Sequence, residues 1–283
     1  MADRHSPAVR RRRLSAELKR LREASGLTAK QVGDRLGWSR GRLTNMERNK
    51  WKRPDPMIIR ALAREYGASD DHVQALETLA RESRGQAWWE RYEDVFTDSY
   101  VAFEAEATTI STYQTMVVHG LLQTPEYADA ADRAIQAHAA IATDRAVEAR
   151  LERQEILDRE DSPKLWAVID ESVLLRTVGS AEIMRGQIEK LVRLSKEFST
   201  IKIQVMPLDA GVHPGAAGSF TILDFPDPQD PPMVYVETRS DGLYFDEPEE
   251  IETHRDAWDD IRVRALHPAG SLDHMLQLIK RYE

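Results

Sequence analysis

The chain has 283 residues, no cysteine and a formal net charge of −9, length enough for a small domain and a larger one with a sizeable core. The missing thiols exclude disulfides, thiol catalysis and thiolate metal sites, and no apolar run approaches the roughly 20 residues that span a bilayer. Charge is unevenly placed: residues 1–67 carry 18 Lys and Arg against 7 Asp and Glu, or +11, and residues 68–283 carry 21 against 41, or −20. A basic head attracts phosphate, while an acidic body resists non-specific collapse onto nucleic acid.

Residues 1–13 read as a basic arm ending in Arg10, Arg11, Arg12 and Arg13, suited to a minor groove or to phosphates; the run also suits the solvated start of a helix. The first helix is expected from Leu14, where Leu14, Leu18 and Leu21 form an apolar stripe. Gly26-Leu27-Thr28 ends it and caps a second helix, with Val32 and Leu36 four residues apart. A Gly37-Trp38 turn leads to a third helix from Arg40, capped by Ser39. Asp55-Pro56 opens a fourth, carrying Ile58, Ile59, Leu62, Ala63 and Tyr66 to a stop at Gly67, and Ser69 caps a fifth with Val73, Leu76 and Leu79 on one face. Residues 14–84 are thus predicted to form an all-α, five-helix domain whose second and third helices stand as a helix-turn-helix.

Residues 85–283 are expected to form a larger α+β domain with a mixed sheet. Thr124-Pro125-Glu126 and Thr143-Asp144 open helices. Strands are expected at 165–169, 201–205, 220–225, 233–237 and 243–245, and Ser180 caps a helix between the first two. That strand, helix and strand suit a parallel crossover, and the later, closely spaced strands suit a meander. Two helices, from about Pro248 and Ser271, close the chain. No secretory signal is expected at the N-terminus, and the cytoplasm is the expected location.

A recognition helix presents its first turns to the major groove, where Arg donates twice to guanine and Asn pairs with adenine. Arg40, Gly41, Thr44 and Asn45 occupy those outward positions and are the expected base readers; Leu43 and Met46 point inward. Arg42 and Ser39, with Asn49, Lys50, Lys52 and Arg53 in the basic loop that follows, suit phosphate contact. Thr28 and Lys30, at the start of the second helix, offer a second phosphate clamp.

Gly26-Leu27-Thr28, Leu36-Gly37-Trp38-Ser39 and Glu47 with its adjoining basic loop resemble the helix-turn-helix domain shared by lambda-type phage repressors, Cro and the Xre class. The resemblance implies a structural ion pair between Arg22 and Glu47. Ala29 departs from the pattern, standing where the family often has a Gln that bridges phosphate and a reading side chain. The body resembles the C-terminal domain of WhiJ-type actinobacterial regulators from Streptomyces and relatives. It does so through Phe103-Glu104-Ala105-Glu106-Ala107, the run from Gly120 to Ala128, Arg150-Leu151-Glu152-Arg153-Gln154, the run from Met206 to Gly215, and Phe220 to Phe225. A regulator often encoded beside a small partner protein is what that resemblance implies.

No enzyme signature stands in the body: there is no Walker loop, HExxH or GxSxG. No catalytic residue, metal or cofactor is expected. His213, in a Gly/Pro loop after a strand, and Asp209 before it mark a possible ligand or partner loop. The reading is a sequence-specific DNA-binding regulator, expected to be a homodimer on double-stranded DNA. A small protein partner or small-molecule effector would act on its C-terminal domain, with no membrane involved. The alternative is an antitoxin-like protein that sequesters a small partner and autoregulates through DNA binding.

Overall fold

The computed structural model describes residues 7–51, 53–84, 88–92, 94–96, 99–135, 143–239 and 242–282, with the side chains of Arg40, Glu90 and Thr143 outside that description. The chain divides into two compact units, Met1–Arg91 and Tyr92–Glu283. No helix among the described residues is long and apolar enough to cross a membrane.

The first unit is helical: α1 (Pro7–Ala24), α2 (Ala29–Leu36), α3 (Arg40–Glu47), α4 (Pro56–Glu65) and α5 (Asp70–Glu82). Leu14, Leu18, Val32, Leu43, Ile59 and Leu62 are fully buried in one core, each stabilising the fold by about 1.5–3 kcal/mol. α1 corrects the expected arm. It begins at Pro7, so Arg10, Arg11, Arg12 and Arg13 form helical turns rather than an extended segment. The reason is apolar: Ala8 and Val9 are both buried, ahead of the Leu14–Leu18–Leu21 stripe; α1 also packs on α5. Arg12 is itself buried and Arg10 pairs with Glu82 at 3.5 Å.

The second unit carries a mixed sheet in the order β3-β2-β1-β4-β5-β6. In chain order it runs α6 (Tyr100–Glu104), β1 (Thr109–Gln114), α7 (Pro125–Ile135), α8 (Thr143–Gln154), β2 (Lys164–Asp170) and α9 (Glu171–Leu175). It continues with α10 (Ala181–Glu197), β3 (Ile201–Met206), β4 (Phe220–Asp224), β5 (Met233–Glu237), β6 (Gly242–Phe245), α11 (Pro248–Arg264) and α12 (Pro268–Arg281). The protein is therefore α+β, a helical head followed by a mixed-sheet domain. β2 and β3 are parallel across the α10 crossover, and β4, β5 and β6 form the antiparallel meander.

The pivotal strand is β1, which the apolar pattern of the sequence does not predict. It pairs parallel with β2 and antiparallel with β4, so it joins the two halves of the sheet. Its residues, Thr-Ile-Ser-Thr-Tyr-Gln, look like a polar loop. Buried Thr112 is satisfied within the sheet by Thr221 Oγ1 at 2.8 Å, by Gln114 Nε2 at 2.8 Å and by the Phe220 carbonyl at 3.3 Å, so its hydroxyl is not left unpaired by burial. On one face of the sheet Tyr113, Val168, Met206, Ile222 and Val234 pack under Ile251, Trp258 and Ile261 of α11. α10 and α12 pack together and against β3.

Candidate functional site

The Thr28 hydroxyl caps α2 by accepting the Gln31 N–H at 3.2 Å, while Gln31 Oε1 accepts the Thr28 N–H at 2.8 Å, a reciprocal capping box. Gly37 ends α2 in the left-handed region at φ 66°, and its N–H donates to the Gly33 carbonyl. That conformation favours glycine and turns the chain into α3, where the Ser39 hydroxyl accepts the Arg42 N–H at 3.4 Å. Leu43 and Met46 lock α3 into the core. Gly41, Arg42 and Asn45 are exposed and Thr44 is half-buried. The side chain of Arg40 lies outside the described residues.

α3 is held from behind. Arg22 of α1 donates Nε to Glu47 Oε1 at 2.6 Å and Nη2 to Glu47 Oε2 at 3.0 Å, and its Nη1 reaches the Leu27 carbonyl at 3.0 Å. This fork ties α1, the turn before α2 and the last residue of α3 together. The Glu47 hydrogen bonds hold Arg22 above its ordinary range, against the cost of burial.

The loop after α3 is anchored. Asn49 adopts the left-handed region at φ 55° and Lys50 N–H returns to the Asn45 carbonyl at 2.7 Å, a helix-ending geometry that Asn tolerates. Trp51 donates its indole N–H to Ser15 of α1 at 2.9 Å. Lys52 lies outside the described residues. Arg42, Asn45, Lys50 and Arg53 line one surface depression of about 250 Å3 with Trp51 and Asp55. The Arg42 guanidinium lies over the Trp38 ring, 4.4 Å from its centroid, a cation–π contact absent from the sequence reading but consistent with a spacing of four residues. Thr28 and Lys30 are exposed at the start of α2 and do not line that depression.

In the second unit, three distant sequence motifs meet in one buried polar cluster. Glu104 of α6 is fully buried and takes Arg153 Nε at 2.5 Å and Nη2 at 2.8 Å. The guanidinium lies against Gly120, where an added Cβ would stand 2.9 Å from Arg153 Nη1. Gln154 Nε2 donates to the Gly120 and Gln123 carbonyls at 2.8 and 2.9 Å, and Lys190 Nζ reaches the Gln123 carbonyl at 2.7 Å. Burial lowers Lys190 to about 8, with Arg193 adding to the effect. Burial opposes the Glu104 charge, but Arg153 overrides it and holds the carboxyl below its ordinary range. The cluster is a scaffold that fixes the segment before α7.

His119 sits in this cluster, 3.1 Å from the Tyr100 hydroxyl and 3.5 Å from Glu104 Oε1. Burial lowers it to about 4, against the pull of Glu104. Between about pH 4 and its ordinary 6.5, the unfolded chain binds a proton that the folded one does not. Stability is therefore full above about pH 6.5 and falls toward pH 4, at about 1.4 kcal/mol per pH unit. Urea titrations that follow methyl resonances of the body between pH 7 and 4.5 are expected to show this slope, and His119→Gln to flatten it; equal slopes for both proteins would refute the assignment.

The predicted loop residues separate. His213 lines a cleft of about 390 Å3 at the carboxyl ends of β1, β2 and β3, together with Tyr113, Asp170, Ser172, Leu208 and Val212. Asp209 is exposed nearby and does not line it. Tyr113 and Asp170 share a sheet face because Asp170 lies two residues beyond Val168, the register partner of Tyr113. The Tyr113 hydroxyl donates to Asp170 Oδ2 at 3.2 Å and lies 3.4 Å from His213 Nε2, while His213 Nδ1 accepts the Gly215 N–H at 3.1 Å. A Cβ on Gly215 would meet the Tyr113 ring at 2.3 Å, so only glycine fits there. The cleft is hidden from the sequence because two of its members lie on strands, and the pattern of one of those strands, β1, does not show it to be one.

Residues 13–76 match the family model of a helix-turn-helix domain, and residues 97–277 match that of a domain of unknown function, DUF5753. No curated protein and no solved structure matches the chain.

Proposed function

Since this chain belongs to the DUF5753 family and carries a helix-turn-helix domain ahead of that region, we propose that it is a sequence-specific transcriptional regulator of the lambda-repressor and Xre class, with a WhiJ-type body. One observation carries the reading: Arg42, Asn45, Lys50 and Arg53 converge on a single depression beside the exposed face of α3. In this reading α3 enters the major groove with Arg40, Gly41, Thr44 and Asn45 toward base edges. Ser39, Arg42, Asn49, Lys50, Lys52 and Arg53 hold the flanking phosphates, and Thr28 and Lys30 hold a second set at the start of α2. The stacking of Arg42 on Trp38 supports this assignment, because it pre-orders a guanidinium at the edge of the reading surface.

One short helix reads too few base pairs for genomic specificity, so the proposed working form is a homodimer with half-sites one turn apart. The 85–283 domain is proposed to act by binding rather than catalysis, a small effector or small protein partner changing how two heads are presented.

The test is selection of sites from a random DNA pool with the full chain, followed by footprinting. A pseudo-palindrome with half-sites one turn apart is expected; salt-sensitive, sequence-blind binding overturns the reading. On the selected site, Asn45→Ala is expected to cost about 1–3 kcal/mol and to relax preference at one base pair. Lys50→Ala should weaken all sequences alike and reduce the salt slope by about one. Equal losses on selected and random DNA for Asn45→Ala would refute its role as a reader.

A further inference from the structure

The cleft at the carboxyl ends of β1, β2 and β3 has a polarity that selects its ligand. Its lining includes the Asp170 carboxylate and neither Lys nor Arg, so an anion would enter without a counter-charge. The floor is directional. His213 Nδ1 accepts from Gly215, which makes Nε2 the protonated nitrogen of the neutral ring and aims it at the Tyr113 oxygen. Tyr113 in turn donates to Asp170 Oδ2, while the Ser172 N–H and hydroxyl both donate to Asp170 Oδ1. These donors are spent within the chain that ends on the carboxylate, while Oδ2, which takes the one bond from Tyr113, keeps acceptor capacity on a residue that lines the cleft. The site therefore offers acceptor capacity and negative charge, and it asks for a donor cation.

The rim supplies the other half. Leu208 and Val212 line the same cleft and are 59% and 89% exposed, apolar surface that a hydrocarbon chain would cover. The rim is not loosely placed, since the Leu208 N–H donates to Glu171 Oε2 at 2.9 Å, beside Asp170. The net −20 of residues 68–283 raises the local concentration of cations. Carboxyl ends of parallel strands are also where open sheets commonly hold small ligands.

We propose that this cleft binds a small primary ammonium compound with an apolar tail, its ammonium on Asp170 and its tail over Leu208 and Val212. The regulatory meaning of such binding rests on the effector-controlled reading above; the binding itself does not.

The test uses the full chain without DNA and three probes of equal chain length at matched ionic strength: n-hexylammonium, n-hexanol and hexanoate. The readout is the methyl resonances of Leu208 and Val212. Hexylammonium is expected to shift both saturably, with a Kd at least about tenfold below those of the other two, the gain of one charge-assisted hydrogen bond. Asp170→Asn retains an amide oxygen for the Ser172 N–H, so the α9 cap survives, and it is expected to erase that preference. Val212→Ser, at a solvent-exposed position, should weaken hexylammonium severalfold. Equal response to hexanoate, no saturable shift, or an unchanged hexylammonium Kd in Asp170→Asn overturns the proposal, the last outcome identifying diffuse attraction to an acidic surface. Because DNA is absent, failure here leaves the DNA reading standing, and failure of site selection leaves this result standing.

Discussion

Arg153→Met is expected to lower the stability of the C-terminal unit by about 3–5 kcal/mol, the cost of breaking a buried ion pair from one side. Glu104 has no exposed surface, and Arg153 donates to both of its oxygens. Methionine keeps the aliphatic reach of the side chain but leaves the carboxylate without its counter-charge. His119, 3.5 Å from Glu104 Oε1, keeps the pull of that carboxylate and loses the opposing Arg153 charge, so its value should rise from about 4 in the variant. The loss is expected in urea titrations that follow body methyls. Adding Glu104→Gln to Arg153→Met should recover part of it, because no charge then remains buried. A single-variant loss below about 1 kcal/mol, the range of exposed pairs, or a double variant no better than the single one, would show that the pair is not the keystone of this cluster.

Glu47→Ala is expected to cost the helix-turn-helix unit about 2–3 kcal/mol, scaled down from the roughly 3–5 of a fully enclosed pair. Arg22 and Glu47 side chains retain 14% and 8% exposure. The variant strips the Arg22 fork of both carboxylate oxygens while its Leu27 carbonyl contact remains, and it releases the end of α3 from α1. Arg22→Lys should fail nearly as badly, since one ammonium cannot serve two carboxylate oxygens and the Leu27 carbonyl with the same geometry. Under the DNA-reading proposal, affinity falls in both variants because the helix is no longer pre-positioned. The slope of log Kd against log salt should not change, because neither residue is assigned to phosphate. A changed slope would place Arg22 or Glu47 on the DNA itself, and an unchanged stability would mean that core packing alone fixes α3.

The head is legible in the sequence because its signals are local. Caps at Thr28, Ser39, Asp55 and Ser69 each act within three residues of themselves, and apolar spacing of three and four makes one face. The N-terminal arm is the exception: Ala8 and Val9 are small apolar residues before a run of charge, and no local pattern marks them as buried. In the body, helix starts and strongly apolar strands are legible for the same local reasons. β1 is not, since its buried threonine is satisfied chiefly by partners more than a hundred residues away, Thr221 and the Phe220 carbonyl.

The basic head, its helix-turn-helix, the exposed Gly41 and Asn45 against the buried Leu43 and Met46 of α3, and the α+β class of the larger domain are all readable from the amino-acid order. Each of these rests on composition or on periods of two and 3.6 residues. Packing, and not sequence order, brings Glu104, Gly120 and Arg153 into one buried cluster. It likewise joins Trp38 to Arg42 and Trp51 to Ser15, and puts Tyr113, Asp170 and His213 together at the carboxyl ends of the parallel strands. The reason is range: local propensity acts over a turn or two of chain, whereas a buried charge or a cleft is defined by groups that meet only once the sheet and its helices have packed.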